Sequence, residues 1–121
     1  MSCILAIDDR PLNRQFLVSL LGYGGHTVLE ASNGEEALRM VREFHPDLII
    51  TDIKMPNMDG YDTMRAIRGM YGFSELPIVA LTAKAMKGDR EKCIDAGASD
   101  YIAKPVESEE LLSLLRNWLL R

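Results

Sequence analysis

The chain has 121 residues, of which 47% are hydrophobic and 26% charged, values typical of one globular domain. The net charge of −4 argues against non-specific binding of nucleic acid, and no apolar run approaches the roughly 20 residues of a membrane span. The two cysteines, Cys3 and Cys93, form no CxxC pair and fit reduced thiols. We therefore expect a single domain over residues 1–121, in the cytoplasm and without a signal peptide.

Short apolar runs alternate with longer amphipathic segments along the whole chain. The run at residues 3–7 has no polar alternation, which is typical of a strand buried on both faces of a sheet. Similar runs follow each segment of helical spacing, so the sequence predicts five strand–helix units. The predicted strands span residues 3–7, 27–31, 47–51, 77–81 and 100–103, and the fourth helix spans residues 87–96.

Capping residues mark the ends of several predicted helices. Pro11 suits the first turn of the first helix, and the glycines from Gly22 onward end that helix. Ser32 with Glu35 forms a capping-box pattern before the second helix, and Ser108 is the predicted cap of the last helix. The apolar positions at helical spacing are Leu12, Phe16, Leu20 and Leu21 in the first helix and Leu111, Leu112, Leu115, Trp118 and Leu119 in the last.

The alternation of strands and helices predicts an α/β fold. It fits a flavodoxin-like (βα)5 arrangement, a doubly wound, parallel, five-stranded sheet with strand order 2-1-3-4-5. Ligands of such sheets bind beyond the carboxyl ends of the strands, so polar residues there are candidates for a site. Those residues are Asp8 and Asp9 after the first strand, Asp52 after the third, Thr82 after the fourth and Lys104 after the fifth.

These residues carry the parts of a site for phosphoryl transfer. Three crowded carboxylates and one lysine have a formal charge of about −2, which raises carboxylate pKa values or demands a cation. An oxygen-only cluster favours a hard divalent ion, Mg²⁺ or alternatively Mn²⁺, that shares its remaining positions with a phosphate. Lys104 would add a positive charge beside that phosphate, Thr82 a hydroxyl group and the loop from Ala83 onward backbone amides, while a carboxylate would be the nucleophile.

Four short motifs occupy these strand ends in order. Together they resemble the receiver domain of two-component response regulators, over essentially the whole chain. The Asp-Asp-x-x-x-Asn-Arg pattern at residues 8–14 and the segment 85–93 further resemble receivers of hybrid histidine kinases. Of two alternatives, a single-domain regulator or a piece of a longer hybrid kinase, this resemblance favours the second. The four motifs are Ile-Asp-Asp at residues 7–9, Asp-Ile-Lys-Met-Pro-Asn-Met-Asp-Gly at 52–60, Leu-Thr-Ala at 81–83 and Asp-Tyr-Ile-Ala-Lys-Pro at 100–105.

The resemblance implies a chemical role for each matching residue. Asp52 would be the phosphoacceptor. Asp9 and Asp52 would ligate Mg²⁺ directly, together with the backbone carbonyl of Lys54, while Asp8 would act largely through water. Lys104 would pair with the phosphoryl group.

Further matching residues would respond to phosphorylation. Thr82, with the neighbouring amide of Ala83, would hydrogen-bond the phosphoryl group and shift inward on activation. Tyr101 would be the switch aromatic, moving between exposed and buried rotamers. The Lys104–Pro105 peptide bond would be cis, and Lys54 and Lys84 would stand at positions that tune the rate of hydrolysis.

The same resemblance implies a signalling module rather than a conventional enzyme, one that promotes its own phosphorylation and dephosphorylation. The phosphodonor would be a histidine kinase or a histidine phosphotransfer domain of a phosphorelay. Phosphorylation would switch the surface formed by helix 4, strand 5 and helix 5, which is also the candidate surface for a homodimer. The domain itself would contact neither nucleic acid nor a membrane, although it would be tethered to a membrane if it were part of a membrane-bound hybrid kinase.

Three other classes of protein use a similar strand edge. A haloacid-dehalogenase-like, Mg²⁺-dependent aspartyl phosphatase needs a second Asp two residues after its nucleophile, where this chain has Lys54. A flavodoxin-like FMN protein needs a phosphate loop after the first strand, where Asp8 and Asp9 would repel a bare phosphate. A pseudo-receiver that acts only as a protein-interaction module stays open, although the acidic residues, Thr82 and Lys104 are all present.

Overall fold

The computed structural model describes residues 2–83 and 87–120. Within these residues five strands and five helices alternate, as predicted, and none of these helices is long and apolar enough to cross a membrane. The strands are β1 (Cys3–Ile7), β2 (Thr27–Ala31), β3 (Leu48–Asp52), β4 (Ile78–Thr82) and β5 (Asp100–Ala103). The helices are α1 (Pro11–Tyr23), α2 (Gly34–Phe44), α3 (Gly60–Arg68), α4 (Lys87–Ala96) and α5 (Ser108–Leu119).

All five strands are parallel and lie in the order β2-β1-β3-β4-β5, which confirms the predicted flavodoxin-like topology. The register places Leu5 of β1 beside Leu29 of β2 and Ile49 of β3. β3 and β4 are buried along their full length, and β1 is buried after its first residue. The carboxyl ends of the strands therefore form one edge of the sheet, where β1, β3 and β4 end side by side.

The sheet is covered by helices on both faces. On one face, residues such as Leu5 and Ile49 pack against α2, α3 and α4. On the other face, residues such as Ile4 and Ile50 pack against α1 and α5. Because successive strand residues point to opposite faces, each continuous apolar run supplies both halves of the core.

β3 and β4 each begin and end one residue later than predicted. Asp47 precedes β3, where its carboxylate accepts a hydrogen bond from the backbone N–H of Cys3 (2.7 Å). Pro77 precedes β4 because proline has no N–H to donate within a sheet. At the other ends, Asp52 and Thr82 still pair with neighbouring strands. Both are thus the last residues of their strands, held by the sheet rather than by a loop.

The first helix presents two of its predicted apolar positions to solvent. Leu17 and Leu21 are its buried residues, whereas Leu12 is 79% and Phe16 46% exposed. Successive residues are about 100° apart around a helix axis. When Leu17 and Leu21 face the sheet, Leu12 and Phe16 therefore point away from it. α1 also continues through Gly22 instead of ending there.

The caps of α2 and α5 differ by one residue from the predicted ones. Asn33 rather than Ser32 caps α2, and its side chain accepts a hydrogen bond from the N–H of Glu36 (2.8 Å). The N–H of Ser32 is instead bound by the Glu36 carboxylate (2.8 Å). Glu107 rather than Ser108 caps α5, and its carboxylate accepts hydrogen bonds from the backbone N–H groups of Glu109 and Glu110. Of the predicted apolar positions of α5, Leu111 and Leu115 are buried, and Leu112, Trp118 and Leu119 are half-buried.

Candidate functional site

The carboxyl ends of the strands open onto a cleft of about 570 Å³. Three of the predicted strand-end residues, Asp52, Thr82 and Lys104, line it directly, and so do Lys54 and Ala83. Other polar side chains also line the cleft, but they belong to loops and helices, so a search for polar residues at strand ends does not find them. These are Arg10, Asp59, Tyr61, Asp89 and Lys92.

Asp8, Asp9 and Asp52 form an acidic cluster at this edge. One carboxylate oxygen from each lies within 4.8 Å of the other two. Asp8 is 1% and Asp52 3% exposed, while Asp9 is half-buried. Local backbone groups hold the two buried carboxylates, since Asp8 Oδ1 accepts from the N–H of Arg10 (2.9 Å) and Asp52 Oδ1 from the N–H of Ile53 (3.0 Å).

Two buried oxygens of the acidic cluster, Asp8 Oδ2 and Asp9 Oδ1, have no hydrogen-bond partner among the described residues. Burial raises the pKa of Asp8, the hydrogen bond from Arg10 opposes this, and the charge of Asp52 raises the pKa further. Buried carboxylate oxygens are costly without a partner. The donor set is made only of oxygens, so it fits a hard divalent cation such as Mg²⁺.

Lys104 supplies a positive charge at the acidic cluster. Its Nζ lies 2.8 Å from Oδ1 of Asp52, and the two side chains are 26% and 4% exposed. The Lys104–Pro105 peptide bond is cis, which confirms the prediction. The combination of a buried carboxylate and a paired ammonium group beside further carboxylates is a suitable arrangement for binding a phosphoryl group together with a metal ion.

Two residues at the end of β4 face the cleft beside this ion pair. Thr82 is 5% exposed and Ala83 is exposed, and both line the cleft together with Asp52. Lys54, on the opposite loop, is also exposed. Lys84, which is predicted to tune hydrolysis, and the predicted amide donors of residues 84 and 85 lie outside the described residues.

Tyr101 lies in β5, away from the lining of the cleft. Its half-buried ring contributes to a groove between α4 and α5, where Arg90 and Glu110 are its neighbours. The guanidinium carbon of Arg90 lies 5.7 Å from the centre of the ring, a cation–π distance. An α4 side chain thus contacts the aromatic residue that the sequence predicts as a switch.

Tyr61 of α3 and Lys92 of α4, which both line the cleft, are in contact with each other. The buried Cys93 of α4 is a neighbour of the Tyr61 hydroxyl group. The ammonium nitrogen of Lys92 lies 5.1 Å from the centre of the Tyr61 ring. Burial raises the pKa of Tyr61, and the neighbouring Cys93 and Asp89 raise it further.

A family model described as response regulator receiver domain matches residues 4–116. Among curated proteins, response regulator MprA of Mycobacterium leprae is 41% identical over 118 residues, which cover 98% of this chain and 51% of that protein. Signal transduction histidine-protein kinase BarA of Escherichia coli is 38% identical over 112 residues, covering 93% of this chain and 12% of that protein. The chain therefore spans about half the length of the regulator and a small part of the kinase.

Solved structures show the same similarity over nearly the whole of each chain. The receiver domain of sensor histidine kinase PA1611 from Pseudomonas aeruginosa, solved with a magnesium ion coordinated in its active-site cleft, has a TM-score of 0.92 and 37% identity. That similarity covers 99% of this chain and 98% of the other. Chemotaxis protein CheY4 of Vibrio cholerae has a TM-score of 0.93 and 32% identity, covering 98% and 99%.

Proposed function

Because this chain belongs to the response regulator receiver domain family of two-component signalling, we propose that it accepts a phosphoryl group from a phosphohistidine onto Asp52. The observation that carries the proposal is the position of Asp52, buried among carboxylates with Lys104 Nζ at 2.8 Å. A carboxylate oxygen of Asp52 attacks phosphorus, and the P–N bond breaks. Its electron pair leaves with the imidazole, which takes up a proton. Water later hydrolyses the aspartyl phosphate to carboxylate and inorganic phosphate.

The proposed reaction uses a Mg²⁺ ion, for which Mn²⁺ would substitute. Asp9 and Asp52 would hold it directly with the backbone carbonyl of Lys54, and Asp8 would act largely through water. When bound, the ion neutralises charge on the transferring phosphoryl group. The close approach of the three carboxylates and their two unpartnered oxygens support this assignment. The magnesium ion in the related PA1611 receiver supports it as well.

Three residues of the chain are proposed to bind the phosphoryl oxygens. Lys104 pairs with Asp52 before transfer, and its ammonium group would then follow the negative charge onto the phosphoryl group. Thr82 and Ala83, at the cleft beside Asp52, would donate hydrogen bonds from a hydroxyl and a backbone N–H. These donors would orient the group for attack without themselves changing covalently.

Phosphorylation is proposed to shift a population of conformers rather than to build a new fold. Thr82 would move toward the phosphoryl group, and Tyr101 would change rotamer in the space that this movement leaves. Arg90 and Glu110 flank Tyr101 from α4 and α5, so the α4–β5–α5 surface would change with it. A homodimer through that surface is one outcome of this switching.

The proposed phosphodonor is a histidine kinase or a histidine phosphotransfer domain, in line with the kinases among the relatives. Its histidine has to reach Asp52 at the strand edge. Leu12 and Phe16 stand exposed on the first turns of α1, which begins two residues after Asp9. This apolar strip beside the cleft would pack against the donor protein.

Phosphoramidate, a small donor with a P–N bond, tests the proposal by intact mass spectrometry. With Mg²⁺ present, the wild type should gain one phosphoryl group and Asp52→Asn none. Asp89→Asn is the matched control, because Asp89 lines the same cleft but lies outside the acidic cluster. Equal modification of wild type and Asp52→Asn would overturn the assignment. A wild type that accepts phosphate neither from this donor nor from phosphohistidine proteins would favour the pseudo-receiver, and steady release of phosphate from phosphate monoesters would favour a phosphatase.

A further inference from the structure

Arg14 joins the end of β1 to the edge strand β2. Its Nη1 donates to the backbone carbonyl of Asp8 (2.8 Å), and its Nε donates to Oε1 of Glu30 (3.2 Å). The Arg14 side chain is 19% and the Glu30 side chain 49% exposed. Glu30 belongs to β2, where it pairs in register with Ala6 of β1. One guanidinium group therefore holds two acceptors, one directly after β1 and the other in β2.

The carbonyl that Arg14 binds belongs to the peptide unit between Asp8 and Asp9. A peptide unit is planar, so restraining its oxygen also restrains the orientation of the N–H of Asp9, which belongs to the same unit. The N–H of Asp8 is already bound to the carbonyl of Ala31 (3.1 Å), on the side of β1 that precedes this peptide. Arg14 adds the restraint on the following side, where Asp9 leaves the sheet. Arg14 therefore contacts the peptide unit that joins the two carboxylate-bearing residues.

We propose that Arg14 is a positioning residue for the divalent-cation site, acting through the peptide unit between Asp8 and Asp9. The inference rests on the metal site of the proposed function. A guanidinium group presents its N–H donors in a rigid, planar fork, and a lysine ammonium group cannot reach both acceptors in the same geometry. Loss of the fork would let the peptide unit turn and spread the carboxylates, so the cation would bind more weakly.

The positive charge of Arg14 weakens cation binding, whereas its positioning role strengthens it. The sign of the change in cation affinity therefore distinguishes the two roles. Removing a positive charge near three carboxylates would by itself strengthen cation binding. In the folded chain, however, Glu30 pairs with Arg14, so the pair has no net charge. The double substitution Arg14→Met with Glu30→Gln removes both charges together. Arg14→Lys keeps the charge and removes only the fork.

Mn²⁺ binding, followed by the electron paramagnetic resonance of free Mn²⁺, measures the site without a phosphoryl donor. We expect both Arg14→Lys and the double variant to bind Mn²⁺ roughly tenfold more weakly than the wild type, as for other residues that orient metal ligands. The control is Arg65→Met with Asp62→Asn, an exposed pair on α3 (3.7 Å), which should leave the affinity within twofold. Thermal unfolding in EDTA shows that each variant is folded at the temperature of the titration.

The outcomes separate positioning from charge and from fold stability. Unchanged Mn²⁺ affinity in Arg14→Lys and in the double variant, with a lower melting temperature in EDTA, would show a purely structural role and overturn the inference. Tighter binding in the double variant would overturn it as well. A wild type that binds no Mn²⁺ would overturn both the metal site and this inference, whereas binding by the wild type with unaffected variants overturns the inference alone.

Discussion

The ammonium nitrogen of Lys104 lies 2.8 Å from Oδ1 of Asp52, and this ion pair passes over the end of β4 to join β5 to β3. Neighbouring strands are about 4.8 Å apart, so only a long side chain reaches across two of these steps. The backbone N–H of Lys104 also donates to the carbonyl of Thr82, the last residue of β4 (2.7 Å). The three strand ends that carry Asp52, Thr82 and Lys104 are therefore tied to one another.

Replacing Lys104 by methionine separates its structural and chemical contributions. Without the ammonium group the buried Asp52 carboxylate loses its paired cation, so the free energy of unfolding in EDTA should fall by about 1–3 kcal/mol. Mn²⁺ should still bind, because all three carboxylates remain, but phosphorylation should be strongly slowed. Urea unfolding and intact mass spectrometry measure the two effects. Wild-type phosphorylation kinetics in Lys104→Met would contradict the role given to this residue.

Asp8→Asn should stabilise the chain in the absence of metal. The substitution removes a buried charge beside Asp52 and keeps an oxygen that accepts from the N–H of Arg10. The free energy of unfolding in EDTA should rise by about 1 kcal/mol, since the repulsion and the desolvation of the carboxylate are gone. Mg²⁺ should then raise the melting temperature of the wild type more than that of the variant. A variant that melts below the wild type in EDTA would contradict this reading of the acidic cluster.

Gly60 lets α3 begin against the end of β3. A Cβ at this position would clash with the carbonyl oxygen of Asp52 and stand 2.7 Å from the Cα of Ile53, and neither backbone atom moves easily. Gly60→Ala should therefore lower the free energy of unfolding by roughly 2–3 kcal/mol. Gly22→Ala is the matched control, because Gly22 lies inside α1 with nothing within 4 Å of its added Cβ.

The control should change stability in the opposite direction. Gly22 lies in the last turn of α1, where alanine is favoured over glycine by up to about 1 kcal/mol, so Gly22→Ala should unfold at a higher urea concentration than the wild type. Gly60→Ala should unfold at a lower one. Similar shifts for both variants would show that α3 does not approach β3 as closely as described.

Arg90→Ala should release the ring of Tyr101. The guanidinium group lies over this ring, and an exposed cation–π contact contributes about 0.5–1 kcal/mol, a factor of roughly two to five in a conformational equilibrium. If the contact holds Tyr101 in the unphosphorylated arrangement, the rate of phosphorylation by phosphoramidate should rise by a similar factor. Arg116→Ala, on α5, is the control. Identical rates for Arg90→Ala and the wild type would contradict a link between Tyr101 and the acceptor.

The sequence predicts the elements that depend on local chemistry. The five strands are within one residue of their predicted positions. An uninterrupted apolar run such as residues 3–7 is typical of a strand that is buried on both faces of a parallel sheet. The strand order then brings Asp8, Asp9 and Asp52 to one edge. Their proximity follows from topology alone, before any side-chain position is known.

Features that depend on tertiary contacts are the ones that the sequence leaves open. Leu12 and Leu17 are equally apolar, and only packing against the sheet decides which of them is buried. Asn33 and Ser32 are similar caps, and the choice depends on where β2 ends. Arg14 belongs to a motif in the sequence, but its bond to the carbonyl of Asp8 involves a backbone atom, which leaves no pattern of residue types.

The most direct test of the central claim is to locate the phosphoryl group chemically. After treatment with phosphoramidate and Mg²⁺, borohydride reduces an aspartyl phosphate to homoserine, and peptide mass spectrometry identifies the converted residue. We predict homoserine at position 52, only in samples that contained both Mg²⁺ and donor. Conversion at another carboxylate such as Asp9 or Asp59, or none at Asp52 in a chain that has gained a phosphoryl group, would contradict the account.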